Sequence, residues 1–356
     1  MSAGAAVAEP VTFGPLSFEL PDELVATAPI ETTGRRRDEA RLLVAWRGEE
    51  RALDATFAEL PLFLDAGDVL VVNTSATVPA AVPTTDGRLL HLSGELPGGL
   101  WVAELRHPCG AGSRPYPEGL AGEVVPLPGG AAAFVLAPFP ADGPGPARLW
   151  TVSLQLPVPL LGYLGRFGHP IRYGCGDERW PLEAYQTVFS AEPGSAEMPS
   201  AARGFTPELL AALVRSGTVF APITLHTGVS SPEAGEPPYP ERYRVPATTA
   251  ELVNSARANG HRVVAVGTTA TRAIETVADE HGAVHPGSGW TDLVITAARG
   301  VSAVDGIITG WHEPEASHLQ LLEAVAGRHL LDRAYRHALA AGYRWHEFGD
   351  LSLILP

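Results

Sequence analysis

The chain has 356 residues, 45% of them hydrophobic, so it can bury a sizeable core and is long for a single one. Its formal net charge is −15 and every one of its 25 basic residues is arginine. That balance opposes non-specific attraction to a polyanion and leaves nucleic-acid contact to a local arginine patch.

Taken in chain order, residues 1–17 read as a loose arm. Met1 to Thr12 carry neither a basic start nor an apolar block of signal length. No segment reaches the roughly 20 apolar residues of a membrane span, so a cytoplasmic protein with no membrane partner is expected. Leu20-Pro21-Asp22-Glu23-Leu24 opens a short helix with Asp22 as a cap. Arg41 to Val44 and Gly67 to Asn73 read as strands, the second apolar, β-branched and bounded by turn residues. From Pro83 to Pro157 short apolar runs alternate with Pro/Gly turns, the pattern of an all-β barrel or curled sheet. Cys109 and Cys175 each lie beside a glycine and lack metal spacing, which predicts two reduced thiols and no metal.

After Pro157 helices and strands alternate. Thr206-Pro207-Glu208 starts a helix with a cap, a proline in the first turn and an acid at its positive end. Strands are predicted at Val219–His226, Arg262–Val266, Leu293–Thr296 and Leu351–Leu355, and helices at Thr249–Asn259, Thr271–Val277, Ala316–Ala326 and His329–Ala341. The expected fold is a layered α/β domain, its sheet substantially parallel, interrupted by an inserted small β-barrel-like domain. Residues 1–82 and 158–356 form the α/β domain, and 83–157 form the insertion.

Four sets of residues suit chemistry. Val263 to Val266 run into Gly267-Thr268-Thr269 and then a helix. In an open α/β sheet, ligands gather at such strand ends, where helix N-termini offer free N–H groups. A capped helix with no ligand is an equally good reading of those residues alone. His226 and His312 each follow a strand, where an imidazole can move a proton or simply pack. Tyr185-Gln186-Thr187-Val188-Phe189 reads either as a structured loop or as a wall for an aromatic base. Asp350, before the last strand, suits an acid/base role or a turn cap.

Together these segments resemble the S-adenosylmethionine:tRNA ribosyltransferase-isomerases of queuosine biosynthesis. The similar stretches are Leu20 to Leu24, Arg41 to Val44, Gly67 to Asn73, Tyr185 to Phe189, Thr224-Leu225-His226 with Gly228, Arg262 to Glu275, and Phe348-Gly349-Asp350. They occur in the family's order over most of the chain. The resemblance implies an α/β fold with a β-barrel-like interruption. It implies a tRNA-modifying transferase and isomerase that uses S-adenosylmethionine as a ribosyl donor and co-substrate, with no further cofactor. A 7-aminomethyl-7-deazaguanine amine in tRNA accepts the ribosyl unit, which becomes an epoxy-cyclopentanediol, and adenine and methionine leave. On this reading His312, His226 and Asp350 are the catalytic candidates. Gly267, Thr268, Thr269, Arg272, Tyr185, Gln186, Thr187, Asn73 and Glu241 are the substrate-binding candidates.

The chain departs from the family pattern at several positions. Two family arginines are Ala76 and Ala81, a family histidine is Gly204, and the His-x-Glu motif is Tyr239-Pro240-Glu241. An arginine clamp contributes about 1.5–3 kcal/mol per charged hydrogen bond, so these losses bear on the acceptor. A paralogue using the same donor with a small-molecule acceptor, and a non-catalytic nucleoside-binding protein, are the alternatives. tRNA binding is the property that separates the first of these from the family reading.

Overall fold

The computed structural model describes residues 16–49, 51–141, 147–229 and 238–356. The predicted N-terminal arm lies almost wholly outside them. The chain begins with β1 (Arg41–Trp46), β2 (Arg51–Thr56) and β3 (Val69–Asn73), followed by the short β4 (Ser75–Thr77). Next come β5 (Ala81–Pro83), β6 (Leu89–Leu96), β7 (Leu100–Cys109), β8 (Gly112–Pro115), β9 (Val124–Leu127), β10 (Ala131–Phe139) and β11 (Leu149–Gln155). Helix α1 (Leu160–Phe167) and β12 (Glu192–Ser195) lead to α2 (Pro207–Arg215), β13 (Val219–Leu225) and β14 (Glu241–Val245). The chain finishes with α3 (Ala247–Ala258), β15 (Val263–Val266), α4 (Thr268–Thr276), β16 (Gly287–Thr291), β17 (Gly306–Gly310), α5 (Ser317–Ala326), α6 (Arg328–Ala340) and β18 (Leu351–Leu355).

One sheet has nine strands in the order β16-β14-β13-β3-β15-β17-β18-β1-β2. Its middle, β13-β3-β15-β17, is parallel, as the alternation of helices and strands predicts. The sense then reverses: β18 runs antiparallel to β17 and parallel to β1, and antiparallel pairs finish both edges. The sheet is therefore mixed. Strands β3, β15 and β18 are buried along their whole length, because helices and loops cover both faces. Leu293–Thr296, predicted as a strand, is irregular; the neighbouring strands are β16 and β17. The run is apolar because Leu293 and Ile295 pack against the α5–α6 core, with Ile295 buried, and not because it joins a ladder.

Residues 81–155 form a separate seven-stranded antiparallel sheet, ordered β5-β6-β7-β11-β10-β9 with β8 beside β7. Its two edges approach each other, and the Thr85 N–H donates to the Pro126 carbonyl at 3.0 Å. This sheet has its own core, which includes Leu90, Leu105, Val125, Leu149 and Val152 and is closed by Tyr163 and Leu164 of α1. Cys109 and Cys175 are joined in a disulfide, with Cα atoms 4.7 Å apart, which overturns the expectation of two reduced thiols. The β7–β8 turn and the segment after α1 are drawn together by backbone pairing: the Ala111 N–H meets the Gly176 carbonyl at 2.7 Å and the Gly174 N–H meets the Ser113 carbonyl at 3.0 Å. Among the described residues no helix is long and apolar enough to cross a membrane.

Candidate active site

The parallel strands β15 and β17 deliver their C-terminal ends to one side of the sheet. Gly267 leaves β15 at φ +94, a conformation that favours glycine, and a Cβ there would lie 3.1 Å from the Ala201 methyl. Helix α4 starts immediately after it, so its unpaired N–H groups face outward at that point. Behind this turn Asn73 is fully buried. Its Nδ2 donates to the Leu225 carbonyl at 2.8 Å and to Thr269 Oγ1 at 3.3 Å, and its Oδ1 accepts from the N–H groups of Leu225 and Ser75, both at 3.0 Å. Asn73 thus fixes Thr269 relative to β3 and β13.

In front of the turn lies a cavity of about 280 Å³. Gly267, Thr268 and Thr269 form one wall and Thr309 to Glu313 another, while Tyr185, Glu197, His346 and Glu347 close it. Among the described residues the wall carries three carboxyl groups (Glu197, Glu313 and Glu347), three imidazoles (His312, His318 and His346) and no arginine or lysine. His312 and His318 stack in parallel with ring centroids 4.5 Å apart, and His312 Nε2 is 3.0 Å from Thr309 Oγ1. Burial pushes both imidazoles down, His318 to about 4 and His312 well below its ordinary range, so both are neutral at neutral pH.

The other wall is more acidic. Tyr173 donates its hydroxyl to Glu197 at 2.5 Å. His346 sits at φ +79, a sparsely populated backbone conformation for a non-glycine residue, and its Nε2 lies 3.4 Å from Glu313. That contact raises the His346 imidazole and lowers the Glu313 carboxyl. Burial pushes Glu347 up to about 7; the nearby Glu197 adds to the rise and His346 opposes it.

A chamber of about 90 Å³ adjoins this cavity behind Thr268, Thr269 and His318. Arg272 and Glu241 form a buried ion pair on its wall. Arg272 also donates to the carbonyls of Leu293, Thr291 and Tyr239 at 3.1–3.3 Å, and Glu241 accepts the Gly228 N–H at 3.0 Å.

Of the residues singled out in the sequence, Gly267, Thr268, Thr269, His312 and Tyr185 converge on the main cavity, and Arg272 and Glu241 on the adjoining chamber. Gln186 stands one layer back and grips the backbone of Thr77 through two hydrogen bonds of 3.1 and 2.8 Å. Thr187 is held in a turn by Ser190. Two candidates lie elsewhere. His226 turns toward β4 and β12, with Nδ1 2.8 Å from Ser75 Oγ and Nε2 3.1 Å from Arg242. Gly194 packs so closely on its ring that a Cβ there would clash at 2.4 Å. Asp350 accepts the N–H groups of Arg41 and Arg344, both at 2.8 Å, and so ties β1 to the turn before β18.

The reading of the sequence missed Tyr173, Glu197, His318, His346 and Glu347, and passed over Glu313. One signal was present: the tripeptide Trp-His-Glu occurs twice, as Trp311-His312-Glu313 and Trp345-His346-Glu347. The copies meet in the fold. Trp345 Nε1 donates to the His312 carbonyl at 3.0 Å, and the two indoles lie 5.3 Å apart.

The fold and this cavity define an α/β protein with a cavity, lined by carboxyl groups and imidazoles, at the ends of parallel strands. The family model described as "Queuosine biosynthesis protein" matches residues 14–354, and the chain belongs to that family. It is 37% identical to the S-adenosylmethionine:tRNA ribosyltransferase-isomerase of Moorella thermoacetica, over 95% of this chain and 98% of that one. The enzyme of the same name from Thermus thermophilus is also 37% identical, with the same shares covered. The crystal structure of S-adenosylmethionine tRNA ribosyltransferase from Thermotoga maritima aligns with a TM-score of 0.53 at 29% identity, over 96% of this chain and 99% of that one.

Proposed function

We propose that this chain is an S-adenosylmethionine-dependent ribosyltransferase-isomerase that acts on a primary amine of a tRNA base. The observation that carries this reading is the cavity wall itself, with three carboxyl groups, the two neutral imidazoles of His312 and His318 and, among the described residues, no arginine or lysine. Carboxylates in a partly desolvated cleft favour a cation such as a sulfonium far more than they would in water. The curated relatives named for this reaction support the same assignment.

The reaction needs a base for a proton beside the sulfonium, a group to ease adenine out, and fixed partners for the methionine end. Glu347, pushed up to about 7, is matched to proton acceptance at neutral pH. Neutral His312 can share a hydrogen bond with the departing base. The Gly267-Thr268-Thr269 turn offers backbone N–H groups and hydroxyls to a carboxylate. The antiparallel sheet of residues 81–155 serves as the inserted barrel-like unit; its separate core and the Thr85–Pro126 link support that reading.

The test is incubation with labelled S-adenosylmethionine and tRNA bearing 7-aminomethyl-7-deazaguanine. Release of adenine and methionine with label retained on the tRNA is the expected result. Absence of both products, with S-adenosylmethionine bound, refutes the transferase reading.

A further inference from the structure

A second cavity, also about 280 Å³, lies on the far side of Tyr185. Its floor is the antiparallel sheet, through Ala81, Leu89, His91 and the Gly110–Gly112 turn; its roof is the 169–182 segment. Charge on this wall is opposite to that of the first cavity. Arg172 and Arg179 line it and, among the described residues, no carboxylate does; Asp177 and Glu178 belong to the same loop but lie off the lining. In a chain of net charge −15, this is a local inversion.

Two buried polar atoms on this wall lack protein partners among the described residues: His91 Nδ1 and Arg172 Nη1. His91 is 1% exposed, and burial, with Arg106 nearby, pushes its imidazole down to about 3, so it is neutral. A buried donor or acceptor without a partner is costly and calls for one. Trp180 adds an aromatic wall.

The cradle is also held in place. The His169 and Ala81 backbones exchange hydrogen bonds of 2.8 and 2.9 Å, Ser113 Oγ donates to the Arg172 carbonyl at 2.9 Å, and the Cys109–Cys175 disulfide joins roof to floor. A Cβ at Gly112 would lie 2.4 Å from the Gly174 carbonyl oxygen, so glycine is needed where the two layers touch. Arg172 also lies close enough to the Tyr185 hydroxyl and the Glu347 carboxyl to lower both, so it stands at the partition between the cavities.

We propose that this second cavity binds a phosphate ester of the acceptor, held by Arg172 and Arg179 while the acceptor's amine reaches past Tyr185 into the first cavity. The proposal rests on the reading of the first cavity as the place where the amine is modified. Phosphate contacts by arginine position a nucleic acid without reading its sequence, and a tryptophan beside them offers a stacking platform for a neighbouring base. The net charge of −15 opposes non-specific attachment of a polyanion elsewhere.

The test compares the wild-type chain with Arg179→Gln and Arg179→Lys. Arg179 is exposed, so neither change threatens the fold. Binding of the amine-bearing tRNA is measured against salt, S-adenosylmethionine binding is measured by calorimetry, and guanosine 5′-monophosphate is compared with guanosine as a competitor. Arg179→Gln is expected to weaken tRNA binding about tenfold at low salt and to reduce the log–log salt slope by about 1. It is also expected to remove the advantage of the monophosphate over the nucleoside. Arg179→Lys keeps most of the slope, and S-adenosylmethionine binding is the same throughout. If the wild type binds no tRNA yet prefers the monophosphate in an Arg179-dependent way, the tRNA assignment fails and the phosphate subsite stands on a small acceptor. Unchanged affinity, slope and monophosphate preference in Arg179→Gln would overturn the proposal.

Discussion

Glu347→Gln removes the group whose environment differs most from that of an ordinary carboxylate on the cavity wall. A carboxyl at its ordinary 4.5 is essentially all ionised at pH 7; Glu347, pushed up to about 7 by burial, is about half ionised there. At pH 5 its ionised fraction falls to about one-hundredth. If Glu347 accepts the proton, kcat/KM for S-adenosylmethionine rises about tenfold per pH unit from pH 5 and levels off above about 7. Glu347→Gln should erase that limb and lower the plateau by roughly 10²–10⁴-fold, the usual contribution of a positioned base. Glu347→Asp should keep a limb at reduced rate. The assay is adenine release followed by chromatography between pH 5 and 9, with thermal melting as the control for folding. A glutamine variant that retains the wild-type limb assigns the titration to another group and refutes this role for Glu347.

Arg272→Ala strands Glu241 as a buried, unpaired carboxylate; a loss of about 3–5 kcal/mol in urea unfolding is expected, and Arg272→Ala with Glu241→Ala should recover part of it. Burial depresses the folded-state titration of His318 to about 4, below its ordinary 6.5, so the unfolded chain binds more protons between those values. The stability that His318 contributes is therefore present above about pH 6.5 and lost as pH falls toward 4, and His318→Gln should flatten that part of a melting-temperature profile. Gly204→Ala places a Cβ 2.7 Å from Phe57 Cδ1 and 2.9 Å from Leu351 Cδ1; overpacking should cost about 1–3 kcal/mol, read from the urea midpoint.

Several features were readable in the sequence because they are local. The β15–Gly267–α4 turn is a short apolar run followed by glycine and two threonines. The antiparallel sheet is a series of runs cut by proline and glycine. Other features depend on partners far away in the chain. His226 and His312 both follow strands, but Gly194 and Ser75 hold one ring outside the cavity while His318 and Thr309 hold the other within it. Asp350 could cap or catalyse, and the two N–H groups that occupy it belong to Arg41 and Arg344. The cysteines are 66 residues apart, and the backbone pairing that aligns them leaves no trace in spacing. Gly204 has its explanation in Phe57: the site of the family histidine is filled by a core side chain, so that position does not face the cavity. Ala81, where a family arginine would stand, lines the second cavity, whose positive charge comes instead from the 169–182 segment.

Strand β18 sits between β17 and β1 and is the only described link between the β1–β2 hairpin and the rest of the large sheet. During synthesis the hairpin has no ladder to join until β18 leaves the ribosome. Leu42, Leu43 and Val44 must wait for their partners Leu351, Ser352 and Leu353 to be made. The cavity waits as well, since His346 and Glu347 close it just before β18, and a nascent chain stalled ahead of them would present the hairpin to chaperones instead of substrate to a site.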